Sequence, residues 1–148
     1  MAQTAVLNKL LDLREKEKKD AQKAYRQSMD FFEDIAGKMY RLLQKKENAE
    51  QSYENYLQQS IPLDRVKEQL SYIELLNQRI LDLQNEVQRA RQEMNKKQEK
   101  LSDAFVEVKK FEKMISYRQQ SEKALQDKQE KEFLDEISIR QYVDYKNR

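Results

Sequence analysis

The chain is 148 residues long, with 38% apolar and 38% charged residues, against roughly 45–50% and about 25% in ordinary globular chains. Its 29 basic and 27 acidic residues leave a net charge of +2, with the signs interleaved rather than gathered into the basic footprint of a nucleic-acid-binding protein. A single Gly and a single Pro exclude a many-stranded β fold or a loop-rich α/β fold, and the absence of Cys and His removes disulfides, Cys/His metal sites and nucleophile–imidazole pairs.

Ala, Glu, Lys, Leu and Arg together supply 71 residues, 48% of the chain, near the roughly 50% of long or coiled helices. The lone Gly37 cannot build a phosphate-cradling loop. No stretch approaches the ~18 consecutive apolar residues of a membrane span. The opening lacks a signal peptide's apolar region and cleavage site, so a cytoplasmic setting without membrane insertion is expected.

In chain order, the first element is a helix over about 4–59. A single 4-3 register runs through Leu7, Leu11, Arg14, Lys18, Ala21, Tyr25, Ser28, Phe32, Ile35, Met39, Leu42, Lys46, Ala49, Tyr53 and Tyr56. Eleven of these fifteen positions are apolar or aromatic, the signature of a coiled-coil seam. Pro62 then interrupts the pattern, since it has no amide to donate and biases Ile61 away from helical angles. A tight connection over about 60–63 follows, with Ser60 or Asp64 as the expected cap of the next helix.

The second helix is expected from about 64 to at least 130. Its register is Val66, Gln69, Ile73, Leu76, Ile80, Leu83, Val87, Ala90, Met94, Lys97, Leu101, Ala104, Val108, Phe111 and Ile115, with thirteen of fifteen apolar. A mean spacing of 3.5 imposes left-handed supercoiling on whatever helix the stripe meets. A short connection turns the second helix back on the first, so the fold class is all-α: two long helices in an antiparallel coiled-coil hairpin over 1–148. Pivoting near Pro62 places Ile35 near Ala90 and Leu7 near Tyr117, giving arms of about 55 residues, or roughly 80 Å. The same stripes also satisfy an intermolecular coiled coil or an exchanged dimer.

Beyond Tyr117 the register decays through Arg118, Glu122 and Gln129, and an overhang over about 120–148 has no first-helix partner. It nonetheless carries Phe133, Leu134, Ile137, Ile139, Tyr142 and Val143, so it either frays, folds back or awaits another surface.

Acidic and basic residues at helical spacing, such as Glu15/Lys19 and Glu93/Lys97, read as surface ion pairs worth a few tenths of a kcal/mol at ~0.3–0.5 each. The basic runs Arg14–Lys19 and Lys96–Lys100 contain acids and read as solvated faces. Di-iron bundles need Glu-x-x-His motifs, which this chain cannot supply. No catalytic residue, metal site or cofactor is expected. Off the seam, Tyr40, Leu43, Tyr72 and Leu75 add apolar surface to the hinge-ward half, either widening the seam or forming a docking strip.

The segment Leu7–Ala21, opening Leu-x-x-Leu-Leu-Asp-Leu-Arg-Glu, resembles the start of the FliJ family of bacterial flagellar type III export accessory proteins. The length, the hinge near residue 60 and the later Glu107-Val108-Lys109-Lys110-Phe111-Glu112-Lys113-Met114 carry the resemblance through the chain. It implies a non-enzymatic coiled coil similar to the stalk of the F-type ATPase gamma subunit. The implied roles are in flagellum biogenesis, protein export, motility and chemotaxis, at the inner face of the cell membrane as a peripheral protein. The implied partners are the export ATPase hexamer, the cytoplasmic domain of the export-gate membrane protein, and export chaperones that are recycled. The resemblance places a ring-facing segment at Leu7, Leu10, Leu13 and Arg14, with the overhang opposite. It places gate docking near Lys38, Leu42, Tyr72 and Leu76, although Leu42 and Leu76 also lie on the seam and Lys38 is a charge in an apolar strip. A generic coiled-coil scaffold or chaperone for client proteins, and a nucleic-acid-binding hairpin, are the alternative readings.

Overall fold

The computed structural model describes residues 2–147, and they form a helical hairpin without strands. Helix α1 covers Ala2–Gln58 (57 residues) and helix α2 covers Leu63–Lys146 (84 residues). By their contacts the residues divide into two packed units, one joining those up to Lys18 with those from Ala104 onward, the other Lys19–Asp103.

At the connection, the Gln59 amide still donates to the Asn55 carbonyl at 3.2 Å, and the Ile61 amide then donates to the Gln59 carbonyl at 2.9 Å. Neither Ser60 nor Asp64 caps α2. Pro62 takes that position, its carbonyl accepting from the amides of Arg65 at 3.1 Å and Val66 at 3.4 Å. A residue without an amide suits the end of a ladder where no donor is required. Asp64 lies instead in the first turn, where its carboxylate complements the positive end of the helix dipole.

All thirty positions of the two 4-3 registers are buried or half-buried, and every fully buried hydrophobic side chain is one of them. In the unit Lys19–Asp103 these are Ile35, Ala49, Ile73, Leu76, Ile80 and Ala90, with Leu42 and Tyr53 packed against Ala49, Ile73 and Leu76. In the other unit they are Leu7, Val108 and Ile115. Ile35 and Ala90 line one hollow, as the antiparallel register requires.

Each polar residue on the seam has a partner. Arg14 donates through Nη1 to both carboxylate oxygens of Glu17 at 3.0 Å, and its guanidinium carbon lies 5.6 Å from the centroid of the Phe111 ring. Lys18 Nζ sits 4.2 Å from the centroid of the Phe105 ring. Ser28 Oγ donates to the Tyr25 carbonyl at 2.7 Å within α1. Lys46 pairs with Glu50 at 3.8 Å and Lys97 with Glu93 at 3.5 Å. Gln69 Nε2 reaches across to the Ala49 carbonyl at 3.1 Å, a bond that the small alanine side chain leaves open. Of the two ion pairs expected from spacing, Glu93–Lys97 forms; Glu15–Lys19 does not, and Arg14–Glu17 takes its place on that turn.

Near the start of α1, Arg118 Nη1 donates to Gln3 Oε1. Beyond the start of α1, α2 stays helical to Lys146 instead of fraying or folding back. From Gln119 to Asn147 every residue is exposed except the half-buried Ile137.

Two outcomes test this account of stability. Leu76→Ala, at a side chain only 2% exposed, should cost about 2–5 kcal/mol, whereas Leu75→Ala, at a flank position 45% exposed, should cost under ~1 kcal/mol by denaturant unfolding. Equal losses would mean that the seam is misplaced. A double-mutant cycle of Arg14→Gln and Phe111→Leu should show a coupling of about 0.5–1 kcal/mol, and additivity would remove the cation–ring contact from the account.

Candidate functional site

Among the described residues no helix is long and apolar enough to cross a membrane, and no group of three or more acidic residues is placed to hold a metal ion. Hollows on the surface include open grooves between the helices. One, of about 460 Å³, is lined by Ser28, Phe31, Ile35, Glu86, Arg89, Ala90 and Glu93, where the small Ser28 and Ala90 leave the seam underfilled. Each of the two units also carries exposed apolar side chains on its outer surface.

In the unit containing both chain ends, the expected ring-facing residues differ in exposure. Leu7 is buried on the seam, Leu10 is half-buried on its flank, and Leu13 is 47% exposed. Arg14 is engaged internally with Glu17 and Phe111, and its Nε is enclosed without a partner among protein atoms. A partner approaching this end meets Leu13, the edge of Leu10 and the exposed Val6, with Leu7 and Arg14 beneath them.

The same unit carries the unpaired end of α2. Its exposed apolar side chains are Leu125, Phe133, Leu134, Ile139, Tyr142, Val143 and Tyr145. They do not form one stripe. Residues nine apart on a helix are two and a half turns apart and so point in opposite directions. Phe133 therefore lies opposite Tyr142, and Leu134 opposite Val143. Charged residues from Glu132 to Lys146 stand among them, so the segment presents apolar side chains in several directions without being apolar throughout. Sequence pattern alone identified most of these residues, but it left open whether they would be helical; Tyr145 and Leu125 were missed because they stand apart from the apolar cluster.

In the unit Lys19–Asp103, the four expected docking residues also separate. Leu76 is enclosed in the core and Leu42 half-buried against it, while Tyr72 is 42% exposed and Lys38 is exposed. The accessible strip is thus Lys38 and Tyr72 with the edge of Leu42, supported from below by Leu76. Tyr40 and Leu43, on the opposite flank of α1, are exposed as well, so these aromatics and leucines do not widen the seam. The Tyr40 hydroxyl accepts from Gln44 Nε2 at 3.0 Å within α1. Phe105 was not singled out by the register because it lies beside it; its role as the ring over Lys18 emerges only from the cross-helix contact.

The model of the family described as Flagellar FliJ protein matches residues 3–146. A relative, the Flagellar FliJ protein of Bacillus subtilis (strain 168), is 38% identical over 144 residues, covering 97% of this chain and 97% of its own length. No solved structure matches. A family match that spans both helices, the connection between them and the unpaired end of α2 leaves one conclusion: the chain belongs to the FliJ family of flagellar proteins.

Proposed function

We propose that this chain is a non-enzymatic component of the flagellar type III protein export apparatus. The unit holding both chain ends engages the export ATPase ring and promotes its assembly. The unit Lys19–Asp103 docks the cytoplasmic domain of the export-gate membrane protein, and α1 and α2, which run unbroken through both units, link the two partners as a rod. In this reading the protein works at the inner face of the cell membrane as a peripheral component and also helps to recycle export chaperones.

The observation that carries the reading is the end of α2. A helix that stays formed beyond the start of α1, with apolar side chains in several directions, is poorly suited to water and well suited to a lined channel. A ring of subunits offers such a channel, and one or two helices of roughly 10–12 Å diameter each are of a width to enter it. That is also how the stalk of an F-type ATPase meets its ring. Support for the docking half comes from Tyr72, an exposed aromatic on a rigid helix over a packed leucine, the kind of anchor that dominates interface energies.

Added to the purified export ATPase, the protein should increase oligomerisation and turnover, and the variant Phe133→Ser/Tyr142→Ser should lose most of that effect while keeping its helicity. Unchanged ATPase behaviour on addition of the unaltered protein would end the ring reading. Recovery of many unrelated clients by crosslinking, without any ATPase effect, would favour a general scaffold or chaperone. For the gate, Tyr72→Ala should weaken binding of the purified gate domain about tenfold or more without lowering helicity; unaltered affinity would count against the strip.

A further inference from the structure

The strip around Tyr72 carries a charge arrangement that the hairpin itself leaves uncompensated. On α1, Lys38, Arg41 and Lys45 follow one another at spacings of three and four residues, and on α2 so do Tyr72, Leu75 and Arg79, so each set lies along one side of its helix. Both sets border the same groove. Phe31 and Glu93 line one stretch of it, and Lys45, Ser52 and Tyr72 line the next. Stepping one heptad at a time between those fixed points, Lys38 falls across from Glu86 and Lys45 across from Arg79.

Flanking positions of paired helices ordinarily oppose opposite charges, and like charges there destabilise the pair. Lys45 and Arg79 break that rule. All four cations are exposed, and none lies within ion-pair distance of a carboxylate among the described residues, although the neighbouring Lys46 forms such a pair with Glu50. Arg41 instead lies back over Gly37, with Nη1 3.8 Å from where a Cβ would stand. Next to the Lys45–Arg79 level, toward the connection, Tyr72 and Leu75 expose apolar surface.

Resting on the reading of this strip as the gate-docking surface, we propose that its occupant is an acidic protein segment, placing a carboxylate between Lys45 and Arg79 and an apolar side chain against Tyr72 and Leu75. The charge pattern favours a protein over a polyanion. Asp34, Glu68, Asp82 and Glu86 border the strip and would repel the continuous charge of a nucleic acid or an anionic membrane, whereas a protein can set single carboxylates where the cations stand. Tyr and Arg side by side are also the residues that anchor protein interfaces.

The test uses the full chain and the purified cytoplasmic domain of the export-gate protein, titrated at low and at physiological salt. Lys45→Glu/Arg79→Glu should weaken binding about thirtyfold or more at low salt and flatten its salt dependence. Arg79→Glu alone should move two properties in opposite directions, weakening the complex while raising the unfolding midpoint, because Lys45 then gains a partner. A purely structural role for Arg79 would move both together. If Tyr72→Ala weakens binding but the charge variants do not, the acidic occupant is wrong and the docking strip stands. Should neither variant alter binding, or should the unaltered chain not bind the gate domain, both are wrong. Tighter binding of phosphatidylglycerol vesicles or duplex DNA than of the gate domain, lost in the double variant, would likewise overturn the proposal.

Discussion

The interaction on which everything else depends is the burial of a 4-3 stripe on each helix against the other. Neither helix is apolar enough to hold itself together by any other contact. Isolated helices of such polarity are marginal in water, because the cost of nucleation is repaid only by packing one face. With no sheet, no disulfide and no buried polar network among the described residues, the seam is the core. That explains why the fully buried side chains are so few and so evenly distributed, and why small residues recur among them. Ala49 and Ala90 let the partner helix approach, which brings Gln69 within reach of the Ala49 carbonyl.

A stripe of leucines and isoleucines alone specifies pairing but not register, since a slip of one heptad restores most apolar contacts. The polar seam residues supply the missing information. Lys18 beside Phe105, Arg14 beside Phe111 and Gln69 beside the Ala49 carbonyl are three contacts that a slip of seven residues would break together. Such a slip would set Gln98 or Glu112 in place of Phe105 and Ala104 or Arg118 in place of Phe111, so both cations would lose their rings. What looks like weakness in the pattern of α1, with Arg14 and Lys18 interrupting the stripe, is how this end of the hairpin fixes its alignment.

The seam could be read residue by residue from the sequence because helical periodicity depends only on spacing, and spacing is what a sequence displays. The connection could be placed at Pro62 for the same reason, but not its chemistry. Ser60 and Asp64 have the better capping side chains, yet the chain starts α2 one residue sooner, where Pro62 needs no side chain to close the ladder. Sequence spacing also could not choose between Glu15–Lys19 and Arg14–Glu17, because both fit helical geometry and Arg14 is held in position by a ring on the other helix. For the candidate surfaces, membership of a strip was legible but accessibility was not. Leu76 and Tyr72 fall in one expected strip although the register sets Leu76 on the seam and Tyr72 beside it, and the packing shows that one is enclosed and the other open.

The end of α2 obeys a different rule from the rest of the helix. Up to Arg118 the buried apolar side chains keep to the 4-3 seam, where α1 covers them, while Leu81, Val106 and Tyr117 lie exposed outside it. Beyond Arg118 no such seam continues among the described residues, the exposed apolar side chains are distributed around the axis, and the helix is continuous across the change. Selection for folding alone would place charge on a solvent-exposed segment, as it does between Gln119 and Lys131, where Leu125 is the single large apolar residue. From Phe133 to Tyr145 the same helix carries seven large apolar residues, only Ile137 of them half-covered. A solvated spacer followed by a segment with exposed apolar side chains distributed around its axis, among charged ones, is an arrangement without benefit to the hairpin itself. It becomes intelligible if the apolar segment lies, in the working complex, inside a partner that surrounds it.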